Sequence, residues 1–211
     1  MSSSSKQGPN TAAPLRRVVV ATGNAHKVTE IQAAMPDVGF EFVAAARAGV
    51  WIEPEETGET FLANARIKAR AAFELFGCAA LADDSGLEVD ALDGAPGVRS
   101  ARYAGDDATD ARNNEKLLSA LDGLAADRRR ARFRCVIVLI AEDGSELVAQ
   151  GSCEGHIGIA PRGEAGFGYD PLFLPDAIPG RTMAELSLAE KTAISHRGAA
   201  LAALRAQLTE A

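Results

Sequence analysis

Apolar positions along this chain alternate between short β-branched runs and stripes of helical spacing, in mixed order. Val18 to Ala21 is an apolar run that predicts a buried strand. Thr22, Gly23 and Asn24 supply turn chemistry. Val28, Ile31 and Met35 then recur at spacings of three and four, marking one face of a helix that stops near Pro36. A second helix is expected from about Thr60, with Phe61, Ala65, Ala69, Ala72, Phe73 and Phe76 as its stripe and Gly77 as its end. Ala79 to Ala82 predicts another short strand, followed by an acidic turn, Asp83 to Gly86. A third helix fits Thr109 to Leu121.

Phe133 to Ala141 predicts a strongly apolar strand, turned by Glu142 to Ser145 into a returning strand over Glu146 to Gly151. Cys153 to Ile159 is expected as a further strand, interrupted by Gly155 and Gly158. One final helix starts at the S-x-x-E capping box of Ser187 and Glu190 and continues through Ile194, Leu201, Leu204 and Leu208. No internal repeat is visible, and no linker divides residues 15 to 211. Strands and helices in mixed order, with a hairpin among them, predict an α/β fold around a mixed sheet. Residues 1 to 14, rich in Ser, Pro, Gly and Asn, are expected to form a disordered tail without the apolar core of a secretory signal.

Composition narrows the function. With 47% hydrophobic residues but only 5% aromatic, packing rests on Ala, Val, Leu and Ile. A formal charge of −7 disfavours a nucleic-acid partner yet allows a small anion held by a few lysines. Cys78, Cys135 and Cys153 are odd in number and lack CxxC spacing, which fits a reducing, cytoplasmic setting and argues against a zinc site. The longest apolar run, near Cys135 to Ala141, is too short to span a membrane. The arginine run Arg128 to Arg130, Arg132 and Arg134 is read as an exposed loop leading into a strand.

Five segments carry candidate chemistry. Thr22, Gly23, Asn24, Ala25, His26 and Lys27 lie between a strand and a helix, where free N–H groups, the helix dipole and Lys27 suit a phosphate. An ordinary capped helix with a surface lysine reads equally from this segment alone. Glu55 to Thr60 either stabilises a helix start or offers hard oxygens to Mg²⁺. Lys68 interrupts an Ala-rich pattern beside the apolar stripe, as a residue facing a cleft would. Asp83 and Asp84 stand at the mouth of a strand, where open α/β sheets place ligands, and side-chain alternation lets only one face a given site. Gly166 to Pro171 offers Phe167 as a flat stacking face, or forms a tight turn with a core aromatic. Lys191, His196 and Arg197 occupy the last helix, where a solvated face is the plain alternative.

Together, ATGNAHKVTEI, EETGETFLANARIKA, ALADDSGLEVDALDGAPGVRSARYAG, GFGYDP and AEKTAISHRGAAL resemble the inosine triphosphate pyrophosphatase family over roughly residues 17 to 205. The resemblance implies an elongated mixed sheet flanked by helices, two lobes with a central cleft, and a homodimer. It implies hydrolysis of ITP, dITP and XTP to the monophosphate and pyrophosphate with Mg²⁺. Thr22 to Lys27 then match the triphosphate loop, and Glu56 matches a metal ligand. Asp84 matches a carboxylate that is both metal ligand and proton acceptor. Lys68 matches a phosphate-side lysine and Ser85 a substrate contact. Phe167, Gly168, Tyr169, Asp170, Lys191, His196 and Arg197 match the nucleotide and base pocket. Donors from His196 or Arg197 suit a 6-oxo purine and disfavour a 6-amino one. One departure is Ala63, where the family often has a Glu completing a capping box with Thr60, so a slightly weaker helix start is expected. A related pyrophosphatase for other nucleotides, a nucleotide-sensing module and a nucleic-acid binder are the rival readings.

Overall fold

The computed structural model of the chain describes residues 15 to 23 and 25 to 210, except the side chains of residues 25 and 26. The expected tail and Asn24 lie outside the described residues. The elements, in order, begin with β1 (Arg16–Val20), α1 (Ala25–Ala34), β2 (Phe40–Ala44) and the single turn α2 (Ala45–Ala48). They continue with α3 (Phe61–Phe76), β3 (Ala79–Val89), α4 (Asp110–Ala120), β4 (Arg130–Ile140) and β5 (Glu146–Ile157). β6 (Phe173–Pro175), α5 (Leu188–Ile194) and α6 (His196–Glu210) complete the order. The strands form one six-stranded sheet in the order β2-β1-β3-β4-β5-β6. β1 is parallel to both its neighbours and every later pairing is antiparallel, so the sheet is mixed.

Side-chain alternation along β3 decides the layout. Leu81, on the α1 and α6 side, joins Val18, Val20, Cys135, Ile137, Ile31, Met35 and Leu204 in one cluster. Leu87 and Val89 join Phe133, Cys153, Leu117, Leu121 and Phe173 in another. Positions 81, 83, 85, 87 and 89 share one side of a strand. Asp83 and Ser85 therefore fall between two hydrophobic lobes. The opposite side of β3 packs Ala80 and Ala82 on Ala65, Ala69 and Ala72 of α3, and Asp84 lies on that side. α3 is held at its start by Thr60, whose hydroxyl accepts from the Ala63 N–H, and ends on Gly77 in the left-handed region at φ 60°. Thr60 makes no reciprocal bond here, as the Ala63 departure implied.

Four expectations change. Asp83 to Gly86 is not a turn: β3 continues to Val89, because β4 pairs with it over ten consecutive positions from Ala80 to Val89. The interrupted strand near Cys153 is the second half of a single β5, whose Gly155 lets Leu174 of β6 approach. The final helix is two helices. Ser195 is extended, at ψ 147°, and its hydroxyl accepts from the Gly198 N–H, which closes α5 and starts α6. The arginine run is not a loop before a strand, since Arg130, Arg132 and Arg134 lie within β4. Arg129 is buried and donates to the carbonyls of Leu121, Ile157 and Gly158. Arg130 and Arg132 find carboxylate partners in Asp176 and in Asp90 and Glu154.

Gly151 lets α6 lie directly on β5. A methyl there would stand 2.2 Å from the His196 carbonyl oxygen and 2.4 Å from the Ala200 nitrogen, both backbone atoms. Gly151→Ala is expected to lower stability by about 1–3 kcal/mol through this overpacking. Denaturant unfolding measures it, and a midpoint unchanged from wild type would contradict the packing described.

Candidate active site

Three groups of polar side chains meet along the middle of β3 and the α5–α6 break. The first surrounds Asp83. Its carboxylate, 5% exposed, accepts from the Lys27 ammonium at 3.1 and 3.2 Å. Arg197 reaches the same carboxylate at 3.5 Å and Glu30 at 3.2 Å. Burial pushes the Asp83 carboxyl up, but Lys27, then Arg197 and Lys68, outweigh it and hold Asp83 well below the usual carboxylate range.

The second group surrounds Asp84 on the other side of the strand. Lys68 of α3 donates to Glu56 at 2.6 Å and lies 3.5 Å from Asp84. Asn64, one helical turn before Lys68, is fully buried. It donates to Asp84 at 3.2 Å and accepts from the Gly58 N–H at 2.7 Å. A methyl on Gly58 would stand 2.6 Å from that Asn64 oxygen, so the glycine lets the 55–59 loop close on α3. Arg102 adds a looser contact to Glu56 at 3.6 Å. Burial raises the Asp84 carboxyl above its ordinary value, Lys68 lowers it and the neighbouring Glu56 raises it again. Lys68 is also raised, because Asp84 and Glu56 together outweigh its desolvation. The lysine has two carboxylates, whereas Asp84 shares its single lysine with a like charge. The two groups are contiguous, since Asp83 and Asp84 are adjacent and Lys68 acts electrostatically on both.

The third group lies on the second lobe. Lys191 of α5 pairs with Asp170 and stands 4.8 Å over the Phe167 ring, which is 66% exposed. Asp170 also accepts from the Phe167 N–H at 2.9 Å. Gly168 donates to Asp110 and accepts from Asn114, both of α4. Tyr169 is core: it is 4% exposed and its hydroxyl donates to the Ser100 carbonyl. These bonds hold the 166–170 loop and leave Phe167 free to present its face. His196 stacks on Phe133 at 5.1 Å, and its Nδ1 is out of solvent contact with no partner. Thr22 is buried, Gly23 exposed and Ser85 half-buried.

Among the described residues no cluster of three His, Cys, Asp or Glu forms a ready-made metal cage. Glu56 and Asp84 instead bring two carboxylates to one ammonium. A Mg²⁺ site takes one or two carboxylates and completes its shell with water and phosphate oxygens, so this donor set fits that ion. Asn64 and Arg102 were not among the candidates read from the sequence. Asn64 was findable: with Thr60 and Lys68 it forms an i, i+4 polar row beside the alanine stripe. Arg102 had no such signal.

The comparisons with known proteins place nearly the whole chain among relatives. The model of the Ham1 family matches residues 18–207. The chain belongs to the Ham1 family. A dITP/XTP pyrophosphatase of Exiguobacterium sibiricum is 51% identical over 193 residues, covering 92% of this chain and 97% of that protein. One of Methylococcus capsulatus is 52% identical over 197 residues, covering 92% and 96%. The HAM1 protein of Coxiella burnetii superposes with a TM-score of 0.85 at 47% identity, covering 93% of this chain and all of that one. The nucleoside-triphosphatase and dITP/XTP pyrophosphatase of Mycobacterium abscessus superposes at 0.76 with 44% identity, covering 89% and 98%. Among the described residues, no helix of this Ham1-family chain is long and apolar enough to cross a membrane.

The His196 imidazole is pushed from 6.5 down to about 3, chiefly by burial and then by Arg197. The native state thus keeps a neutral ring while the unfolded chain takes up a proton below pH 6.5. The stability this contributes is complete above that pH and is lost as the pH falls toward 3. Thermal melting between pH 6.5 and about 4.5, above the carboxylate range, should show a steeper loss of Tm for wild type than for His196→Asn. Parallel profiles would contradict a buried neutral imidazole.

Proposed function

We propose that this chain hydrolyses the non-standard purine nucleoside triphosphates ITP, dITP and XTP to the monophosphate and pyrophosphate, with Mg²⁺. One observation supports the reading: Lys68 bridges Glu56 and Asp84, and the adjacent Asp83 holds Lys27, so two lysines and a carboxylate pair suited to a divalent ion gather about neighbouring residues of one strand. The names of the relatives agree with it.

Water attacks the α-phosphorus, the bond to the bridging oxygen breaks, and pyrophosphate leaves. Lys27 and Lys68 hold the leaving group. Asp84 orients the attacking water and accepts its proton. Glu56 and Asp84 would hold Mg²⁺, which supplies neutralisation of the charge that develops on phosphate oxygens. Asn64 fixes the Asp84 carboxylate from behind. Thr22, Gly23 and Lys27 line the phosphate end, and Ser85 stands between the two ends. The exposed face of Phe167 receives the base, with Lys191 beside it. The Arg197 guanidinium and the neutral His196 meet the 6-oxo group as donors. A 6-amino group would leave such donors unpaired, at about 1–3 kcal/mol each.

Incubation with ITP, dITP, XTP, GTP and ATP, with and without Mg²⁺, should release pyrophosphate from the first three only when the ion is present. Orthophosphate as the product would refute the reaction. Asp84→Asn should keep its fold by circular dichroism and lose at least about a hundredfold in kcat, the scale of a general base. Near-normal turnover in that variant would remove Asp84 from the chemistry.

A further inference from the structure

Asp83 is a fully engaged carboxylate in the middle of β3 that the reaction above leaves idle. It is buried, and it touches cations from two elements far apart in sequence. Lys27 comes from the start of α1 and Arg197 from the start of α6. In the proposed reading Lys27 belongs to the phosphate end of the nucleotide and Arg197 to the base end. We infer that Asp83 is a positioning residue that sets Lys27 and Arg197 against each other and so couples recognition of the phosphate chain to recognition of the base. This rests on the functional reading for the two ends of the ligand, not for the chemistry.

The geometry supports a shared anchor rather than two separate ion pairs. Oδ2 of Asp83 lies within 3.2 Å of Lys27 and 3.5 Å of Arg197. Lys27 keeps part of its side chain open to solvent, 28% exposed, while Asp83 does not. The ammonium thus has protons left to turn toward a ligand while Asp83 holds its base. Glu30 takes the outer edge of the Arg197 guanidinium, which leaves the inner edge to Asp83. Asp84 cannot substitute, because alternation along β3 points it to the opposite side, at Lys68 and Asn64.

The test uses two probes that each occupy one end, inorganic pyrophosphate with Mg²⁺ and inosine monophosphate, titrated calorimetrically so that no turnover is required. Lys27→Met should weaken pyrophosphate more than the monophosphate, and Arg197→Lys the monophosphate more than pyrophosphate. Asp83→Asn should weaken both, each by at least about tenfold, and Asp83→Glu should recover part of both. Asp83→Asn leaves Lys27 without its counter-ion and Arg197 with Glu30 alone, and can fail to fold. Lys27→Met/Asp83→Asn restores the charge balance of the cluster. In that background monophosphate binding should be at least about tenfold weaker than in Lys27→Met. Equal binding there, or an Asp83→Asn protein that loses only one ligand, overturns the inference. Binding of both probes without pyrophosphate release from ITP would sink the reaction while leaving the coupling intact.

Discussion

Two carboxylates sit side by side in the middle of a strand that is otherwise apolar, and each must meet a positive charge on its own side of the sheet. A buried, unpaired carboxylate costs several kcal/mol, so neither is tolerated alone. Asp83 recruits Lys27 and Arg197 from α1 and α6, and Asp84 recruits Lys68 from α3. The helices that flank the sheet are thereby tied to its centre by charge as well as by packing. The same strand supplies Leu81 to one hydrophobic lobe and Leu87 and Val89 to the next. The polar interval between those lobes is where the proposed function places a charged ligand.

The site is built so that its charges are compensated before a ligand arrives. Lys68 is shared by two carboxylates and Lys27 is held by one, so neither ammonium is lost to bulk water. In the proposed reading a triphosphate would bring its oxygens to lysines whose positions are already fixed, and Glu56 and Asp84 would hold the divalent ion, which is the physical content of a preorganised electrostatic site. The second lobe is built differently. There the 166–170 loop is fixed by Tyr169, Asp170 and Gly168, and Phe167 is left as an exposed flat surface.

Local signals were legible because they depend on neighbours in sequence. The apolar spacing of α1 and α3, the Gly77 stop, the Ser187–Glu190 capping box and the 142–145 turn all appear where their residue types require. Membership of the Ham1 family was legible too, through five short segments in order. What failed shares one cause. Asp83 to Gly86 has turn composition and Arg130 to Arg134 is too polar for a buried strand, yet Asp83 to Gly86 pair with Ile137 to Arg134, and Leu87 to Val89 with Phe133 to Ala131. Ladder hydrogen bonds over the full length of β3 and β4 outweigh local preference. The break between α5 and α6 was equally hidden, since the helical spacing runs through it.

By itself, then, the sequence determined which residue types were available and roughly where α1, α3, α4 and α5 begin. It also determined that carboxylates and lysines recur in short segments far apart. Only the tertiary structure decided that Asp83 and Asp84 face opposite ways, and that Asn64 and Arg102 close on the same ligand set. It likewise decided that Tyr169 is a brace in the core and not a contact surface. The reason is that facing and pairing are relations between strands and helices brought together by burial, and a side chain's chemistry does not encode its partner across fifty residues of chain.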